Sequence, residues 1–175
     1  MAEMTSAEAA KVLRKLNEEL NMLVANEEQS KYFLAALGED PETVRPAYNY
    51  SETSGRIDVL ESKIRSLKHS INMFNAATVV PGINMTVDQT LIFIPQLSQR
   101  CAKLRDMMNR LPKTRENASG FGRAGTVIDY RYINYDPELV RTDYDRFKAL
   151  LDLAQLQLDL VNSTVRFTVD DSVLE

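Results

Sequence analysis

Apolar side chains recur along this chain at alternating spacings of three and four, the period at which residues share one face of an α-helix. Leu13, Leu16, Leu20 and Leu23 form the first stripe, and the register runs on through the polar Glu27 and Ser30 to Leu34 and Leu37. Thr5 with Glu8 three residues later has the form of a capping box, and Gly38 suits a left-handed cap. A first helix is therefore predicted over 6–37. Residues 39–53, with Pro41, Pro46 and several turn formers, read as a loop. Ile57, Leu60, Ile64, Leu67, Ile71, Phe74 and Thr78 then hold the three-four order for three heptads, a coiled-coil seam on a helix over 54–78. Pro81-Gly82 ends it.

Thr86 and Gln89 repeat the capping-box form and open a third helix over 86–111, with Leu91, Ile94, Leu97, Cys101, Leu104, Met108 and Leu111 on one face. Pro95 lies inside it, where the missing N–H and the ring predict a kink or a restart. Asp136-Pro137 supplies an N-cap and a first-turn proline for a fourth helix over 137–162. Its Val140, Tyr144, Phe147, Leu151, Ala154, Leu158 and Val161 keep the strict order, and Leu150, Leu153, Leu156 and Leu160 widen the apolar face. A helix apolar on two sides needs cover on both.

Between these last two helices, residues 113–125 (KTRENASGFGRAG) have the composition of a flexible connection. Residues 126–133 (TVIDYRYI) are β-branched and aromatic, a strand candidate that could form one arm of a hairpin with the loop before it. The tail after Asn162 (STVRFTV) is also strand-like. The expected fold is mainly α: an antiparallel bundle of about four long coiled-coil-like helices, or a pair of long helical hairpins, one domain over 1–175, with one short β segment near 126–133.

At 175 residues the chain can bury one good core, and its 44% hydrophobic and 26% charged fractions are ordinary for a globular protein. The net charge of −4 argues against a dedicated nucleic-acid binder. Its distribution says more: residues 1–60 and 132–175 each carry net −5, and residues 99–131 carry net +5. Complementary segments of this kind can attract one another within a chain or between chains, and solvated helix faces are the simpler explanation. The lone Cys101 leaves no partner for an internal disulfide or a multi-cysteine metal site. The first ten residues lack the basic and apolar regions of a secretion signal, and the apolar run Leu91–Ile94 is far too short to span a bilayer. The cytoplasm is the expected location.

Ser70-Ile71-Asn72-Met73-Phe74-Asn75-Ala76-Ala77-Thr78, the Pro-Gly turn, and Met85-Thr86-Val87-Asp88-Gln89 together resemble the septicolysin-like family of small bacterial helical proteins. That family has an I-N-x-x-N-x-x-T helix end followed by T-L-T-D opening the next helix; here Val87 replaces the usual Leu. The resemblance spans about residues 50–165 and continues through a basic helix, a polar linker, an extended segment and an Asp-led last helix. Near that helix's end stands Asn162, with Ser163 where the family has Trp. It implies a fold and no activity. A thiol-activated cytolysin, as the family name suggests, would need an exposed reactive cysteine, whereas Cys101 falls on an apolar helical stripe.

No catalytic residue, metal ligand or cofactor motif emerges from the spacing. His69, the one histidine, has no carboxylate or cysteine at ligand spacing, and Glu18-Glu19 and Glu27-Glu28 diverge around a helix. Gly120 and Gly122, with Arg115 and Arg123, could cradle an anion on backbone N–H groups. A nucleotide loop, however, should follow a strand and open a helix, and this one does neither. Asn72, Asn75, Thr78 and Thr86 are read as a structural motif that caps carbonyls or bridges to the third helix. These observations predict a self-associating protein of uncharacterised function, a homo-oligomer acting through protein contacts without enzymatic chemistry. The alternatives are an anion- or small-ligand-binding protein or enzyme using the basic 100–131 region and, less well supported, a membrane-active protein.

Overall fold

A computed structural model describes residues 1–116 and 129–174 of the chain. In order, these form β1 (Ala2–Thr5), α1 (Ser6–Ser30), α2 (Pro41–Val44), α3 (Tyr50–Ala77), β2 (Val79–Val80), β3 (Met85–Thr86) and α4 (Val87–Met108). After α4 come β4 (Lys113–Arg115), β5 (Tyr130–Tyr132), α5 (Pro137–Thr164), β6 (Arg166–Val169) and a 3-10 turn, Asp171–Val173. The protein is mainly helical, with small antiparallel strand pairs.

Both capping boxes close. Thr5 Oγ1 accepts from the Glu8 N–H at 3.2 Å while the Glu8 carboxylate accepts from the Thr5 N–H at 2.8 Å. That backbone donation holds the Glu8 carboxyl below its usual pKa. Thr86 and Gln89 do the same at 3.2 and 3.0 Å, and Asp136 caps α5 through the Glu138 N–H at 2.8 Å. Pro95 lies within α4, which continues through it as one helix.

Two predicted ends move inward. The first helix stops at Ser30, leaving Leu34 and Leu37 outside it and fully exposed, at 95% and 108%. Beyond Leu23 the stripe offers only Glu27 and Ser30, so further turns would order backbone without burying an apolar face. The loop folds back instead, and the Tyr48 hydroxyl donates to the Glu27 carboxylate at 2.7 Å. The third helix stops at Met108, and Leu111 is exposed. Here Asn109 bonds back to the Arg105 and Asp106 carbonyls, and the Tyr135 hydroxyl donates to the Met107 carbonyl at 2.7 Å, satisfying groups that the helix leaves open.

The strand pairs join distant parts of the chain. β1 runs antiparallel to β6, with Ala2 opposite Val169 and Thr5 opposite Arg166, so the strand-like tail finds a partner at the other terminus. β5 pairs with β4 inside the chain, Lys113 opposite Tyr132. The strand thus covers residues 130–132 of the predicted 126–133 segment, and residues 126–128 lie outside the described residues.

The helices pack most heavily as two pairs, α1 on α3 and α4 on α5. The core is correspondingly three clusters in series. Leu16 of α1 meets Leu60, Ile64 and Leu67 of α3 under Met4, Val169 and Val173 from the β1–β6 end. Phe74, Val80, Val87, Leu158 and Val161 join the two pairs, and Phe167, its ring 4.7 Å from that of Phe74, packs on both clusters. Leu97, Cys101 and Leu151 fill the α4–α5 pair. On α5 the strict stripe is buried at Val140, Leu151, Ala154, Leu158 and Val161. The second set divides: Leu150 packs on the core, whereas Leu153, Leu156 and Leu160 stand exposed at 40%, 64% and 50%.

Candidate functional site

Among the described residues, a surface rich in cations and aromatic rings lies where the C-terminal half of α4, the β4–β5 hairpin and the start of α5 meet. The hairpin is extended by Glu116 N–H donating to the Asp129 carbonyl at 2.9 Å and is tied down where Ile133 N–H reaches the Pro112 carbonyl at 3.2 Å. Residues two apart on a strand share a face, so Tyr130 and Tyr132 stand side by side, with Lys113 across from them. The Lys113 ammonium sits 4.0 Å from the Tyr130 ring centroid and 5.4 Å from that of Tyr132. On the helices, the guanidiniums of Arg100 and Arg146 lie 4.4 and 4.5 Å from the Phe147 ring centroid. Arg105 donates to the Tyr144 hydroxyl at 2.9 Å, a bond that favours its charged form.

Two open grooves flank Tyr135. One, of about 530 Å³, is lined by Arg110, Leu111, Thr114, Arg131 and Tyr132 among others. Its cations are already paired: Arg110 with Asp106 at 2.7 Å, and Arg131 with Glu116. The other, of about 440 Å³, runs between α4 and α5, with Leu104, Met107, Val140 and Phe147 inside and Arg100, Lys103 and Arg146 on its rim. Arg146 pairs with Asp143 at 2.8 Å. Arg100, Lys103, Arg105 and Lys113 have no carboxylate within ion-pairing distance among the described residues. This surface can take anionic or aromatic groups by charge and stacking.

Of the candidate anion contacts, Arg115 ends β4 and is exposed, while Gly120, Gly122 and Arg123 lie outside the described residues. The Asn-Thr motif is brought together in part. Val79 pairs with Thr86 across the short β2–β3 ladder, and the Val87 N–H donates to the Thr78 carbonyl at 2.9 Å. Thr78 caps α3 and Thr86 caps α4. Asn72 is exposed and Asn75 half-buried, and neither side chain hydrogen-bonds to Thr78 or Thr86. Gly82 and Asn84 turn the chain here at φ of 75° and 57°, where a side chain is otherwise strained. His69 is exposed on α3, and Cys101 is buried at 4% between α4 and α5. Among the described residues no group of three or more His, Cys, Asp or Glu could hold a metal ion.

Sequence reasoning marked the 100–131 stretch as basic but missed its aromatic partners. Tyr135, Tyr144 and Phe147 belong to the acidic last segment, and Tyr144 and Phe147 read there simply as core positions. The register of α4 against α5 is what brings them to Arg100 and Arg105. The alternation Tyr130-Arg131-Tyr132 was the available signal for the hairpin face.

The fold recurs in the crystal structure of a functionally unknown conserved protein from Corynebacterium diphtheriae, with a TM-score of 0.60 and 17% sequence identity. The match covers 95% of this chain and 100% of that one. No family model matches the chain, and no curated protein does.

Proposed function

We propose that this chain acts as a self-associating helical protein, its role expressed through contacts between copies in the cytoplasm and not through catalysis. The supporting observation is its surface. It exposes 12914 Å², whereas a compact monomer of its 19.9 kDa would expose about 8,700 Å². The thirteen undescribed residues, counted as fully extended chain, supply at most about 2,100 Å² of that difference. Roughly another 2,000 Å² remains, more than the ~800 Å² that one partner contributes to a standard interface. Much of it is apolar: Met22, Tyr32, Leu34, Leu37, Leu156 and Leu160 are each at least half exposed. Among the described residues, no helix is long and apolar enough to cross a membrane, which favours protein over lipid as the cover. Light scattering at micromolar concentration tests the proposal. A mass of at least about 40 kDa, twice the 19.9 kDa chain, is expected, and a monomer would refute it.

A second reading, anion binding, rests on Arg100, Lys103 and Lys113, unpaired among the described residues, beside Phe147, Tyr130 and Tyr132. Calorimetric titration with pyrophosphate should then give saturable heat that Lys113→Ala reduces; no heat would set this reading aside. The resemblance to the septicolysin-like family stands as a proposal of shared ancestry for about residues 50–165 and assigns no activity.

A further inference from the structure

The open groove of about 440 Å³ between α4 and α5 has two unlike ends. Arg100, Lys103, Leu104 and Met107 share one face of α4, and Leu139, Val140, Asp143, Arg146 and Phe147 share the facing side of α5. The two helices run antiparallel across it: Arg100 stands beside Phe147, and the Tyr135 hydroxyl bonds the Met107 carbonyl. That fixes the order of side chains along the groove. Arg100, Arg146 and Phe147 form one end, with Lys103 one turn further along α4. Met107, Leu139 and Val140 form the other, where Tyr135 separates them from the second groove. Leu104 lies between the two ends.

The first end carries an excess of positive charge. The guanidiniums of Arg100 and Arg146 lie 4.4 and 4.5 Å from the same Phe147 ring centroid, so they are within about 9 Å of each other. Asp143 pairs with Arg146 at 2.8 Å, while Arg100 and Lys103 have no carboxylate within ion-pairing distance among the described residues. Like charges one turn apart on a helix repel, and an anion set between them relieves that repulsion. The second end is apolar. Val140 is buried, Leu104 and Met107 are half-buried, and Leu139 forms an exposed edge. Asp136 also lines this end, where its carboxylate accepts from the Glu138 N–H at 2.8 Å and disfavours a further negative charge.

We propose that the α4–α5 groove binds a small amphipathic carboxylate, its head on Arg100 and Lys103 and its apolar chain along Leu104 and Met107 toward Leu139 and Val140. This rests on the anion-binding reading and names the ligand and its orientation. The planar fork of Arg100 can take both carboxylate oxygens, and its stacking on Phe147 reduces the side-chain freedom lost on binding. Arg100 and Met107 are about 10 Å apart along α4 at ~1.5 Å per residue, which sets the length of the ligand. The groove volume falls within the range of about 300–1,000 Å³ usual for small-molecule sites. An inorganic anion would use only the charged end and leave the apolar end in water. A purely apolar molecule would leave the two cations without a partner.

Calorimetric titration of the whole chain with acetate, hexanoate and octanoate tests the site. Octanoate should bind saturably, hexanoate about tenfold more weakly for its shorter buried chain, and acetate without detectable heat. Arg100→Ala should weaken octanoate binding roughly tenfold or more. Leu139→Asp should weaken it as well, by setting a carboxylate at the apolar end, and an aspartate in the first turn suits the helix. Lys113→Ala, outside the groove, and Leu156→Glu, at an exposed leucine elsewhere on α5, should leave octanoate binding unchanged. If a variant loses helical signal, the chain-length series on the wild type decides. Octanoate binding that Leu156→Glu abolishes and Leu139→Asp spares overturns the proposal. Equal affinity for acetate and octanoate, or saturable heat from pyrophosphate with none from octanoate, overturns the amphipathic site and leaves anion binding standing. Heat from neither pyrophosphate nor octanoate overturns both.

Discussion

Leu67→Ala is the sharpest probe of the fold. Leu67 is 0% exposed and sits where α1, α3 and the β1–β6 end converge, in a cluster with Leu16, Leu60, Ile64, Met4, Val169 and Val173. The substitution removes three buried carbons, about 2.4 kcal/mol at ~0.8 kcal/mol each. Neighbours from separate elements cannot all close in, and an unrelaxed cavity of roughly 70 Å³ adds about 1.7 kcal/mol. The expected loss is therefore about 4 kcal/mol, a large part of a domain's usual stability. The assay is urea denaturation followed by far-ultraviolet circular dichroism, at one fixed protein concentration because association adds to apparent stability. Leu34→Ala is the matched control: the same chemistry at 95% exposure should cost within about 0.5 kcal/mol. If Leu67→Ala costs less than about 1 kcal/mol with an unchanged urea dependence, the β1–β6 end does not close over α3 and the first cluster is wrongly assigned.

Thr86→Ala removes the cap of α4 and half of its capping box, so it should cost about 1 kcal/mol by the same assay, and a neutral result would mean that α4 does not begin there. The hydrogen bond to Glu27 pushes the Tyr48 hydroxyl up to about 12, above its ordinary 10.0. The neutral form is thus favoured in the fold, and its stabilising contribution is complete below pH 10 and lost as pH rises through 12. Ultraviolet titration should show one late tyrosine that disappears in Tyr48→Phe and returns toward its ordinary value in Glu27→Gln; uniform titration of all tyrosines would contradict that contact. Cys101, buried between α4 and α5, should react with a thiol reagent only as fast as that pair opens, and immediate labelling of the native protein would place it outside the core.

The elements themselves were legible because caps and periodicity are local. Thr5/Glu8, Thr86/Gln89 and Asp136-Pro137 each act within one helical turn, and all three start helices where the spacing put them. The seams of α3 and α5 were legible for the same reason: a stripe is a property of one helix. Helix ends were less so, since the register of α1 runs formally to Leu37 while the chain leaves the helix at Ser30, once no neighbour remains to cover it.

What lies beyond one helix was decided only by tertiary structure. The Ala2–Thr5 strand gave no signal of its own, since a strand forms only when a partner strand accepts its hydrogen bonds, and that partner lies at the far end of the chain. Arg100 beside Phe147 and Arg105 beside Tyr144 depend on how α4 is set against α5, a register that neither helix encodes alone. The sequence determined that α5 carries two apolar stripes. Only the packing decided that Leu151 and Leu158 face α4 while Leu156 and Leu160 face outward, because one neighbour can cover only one side of a helix.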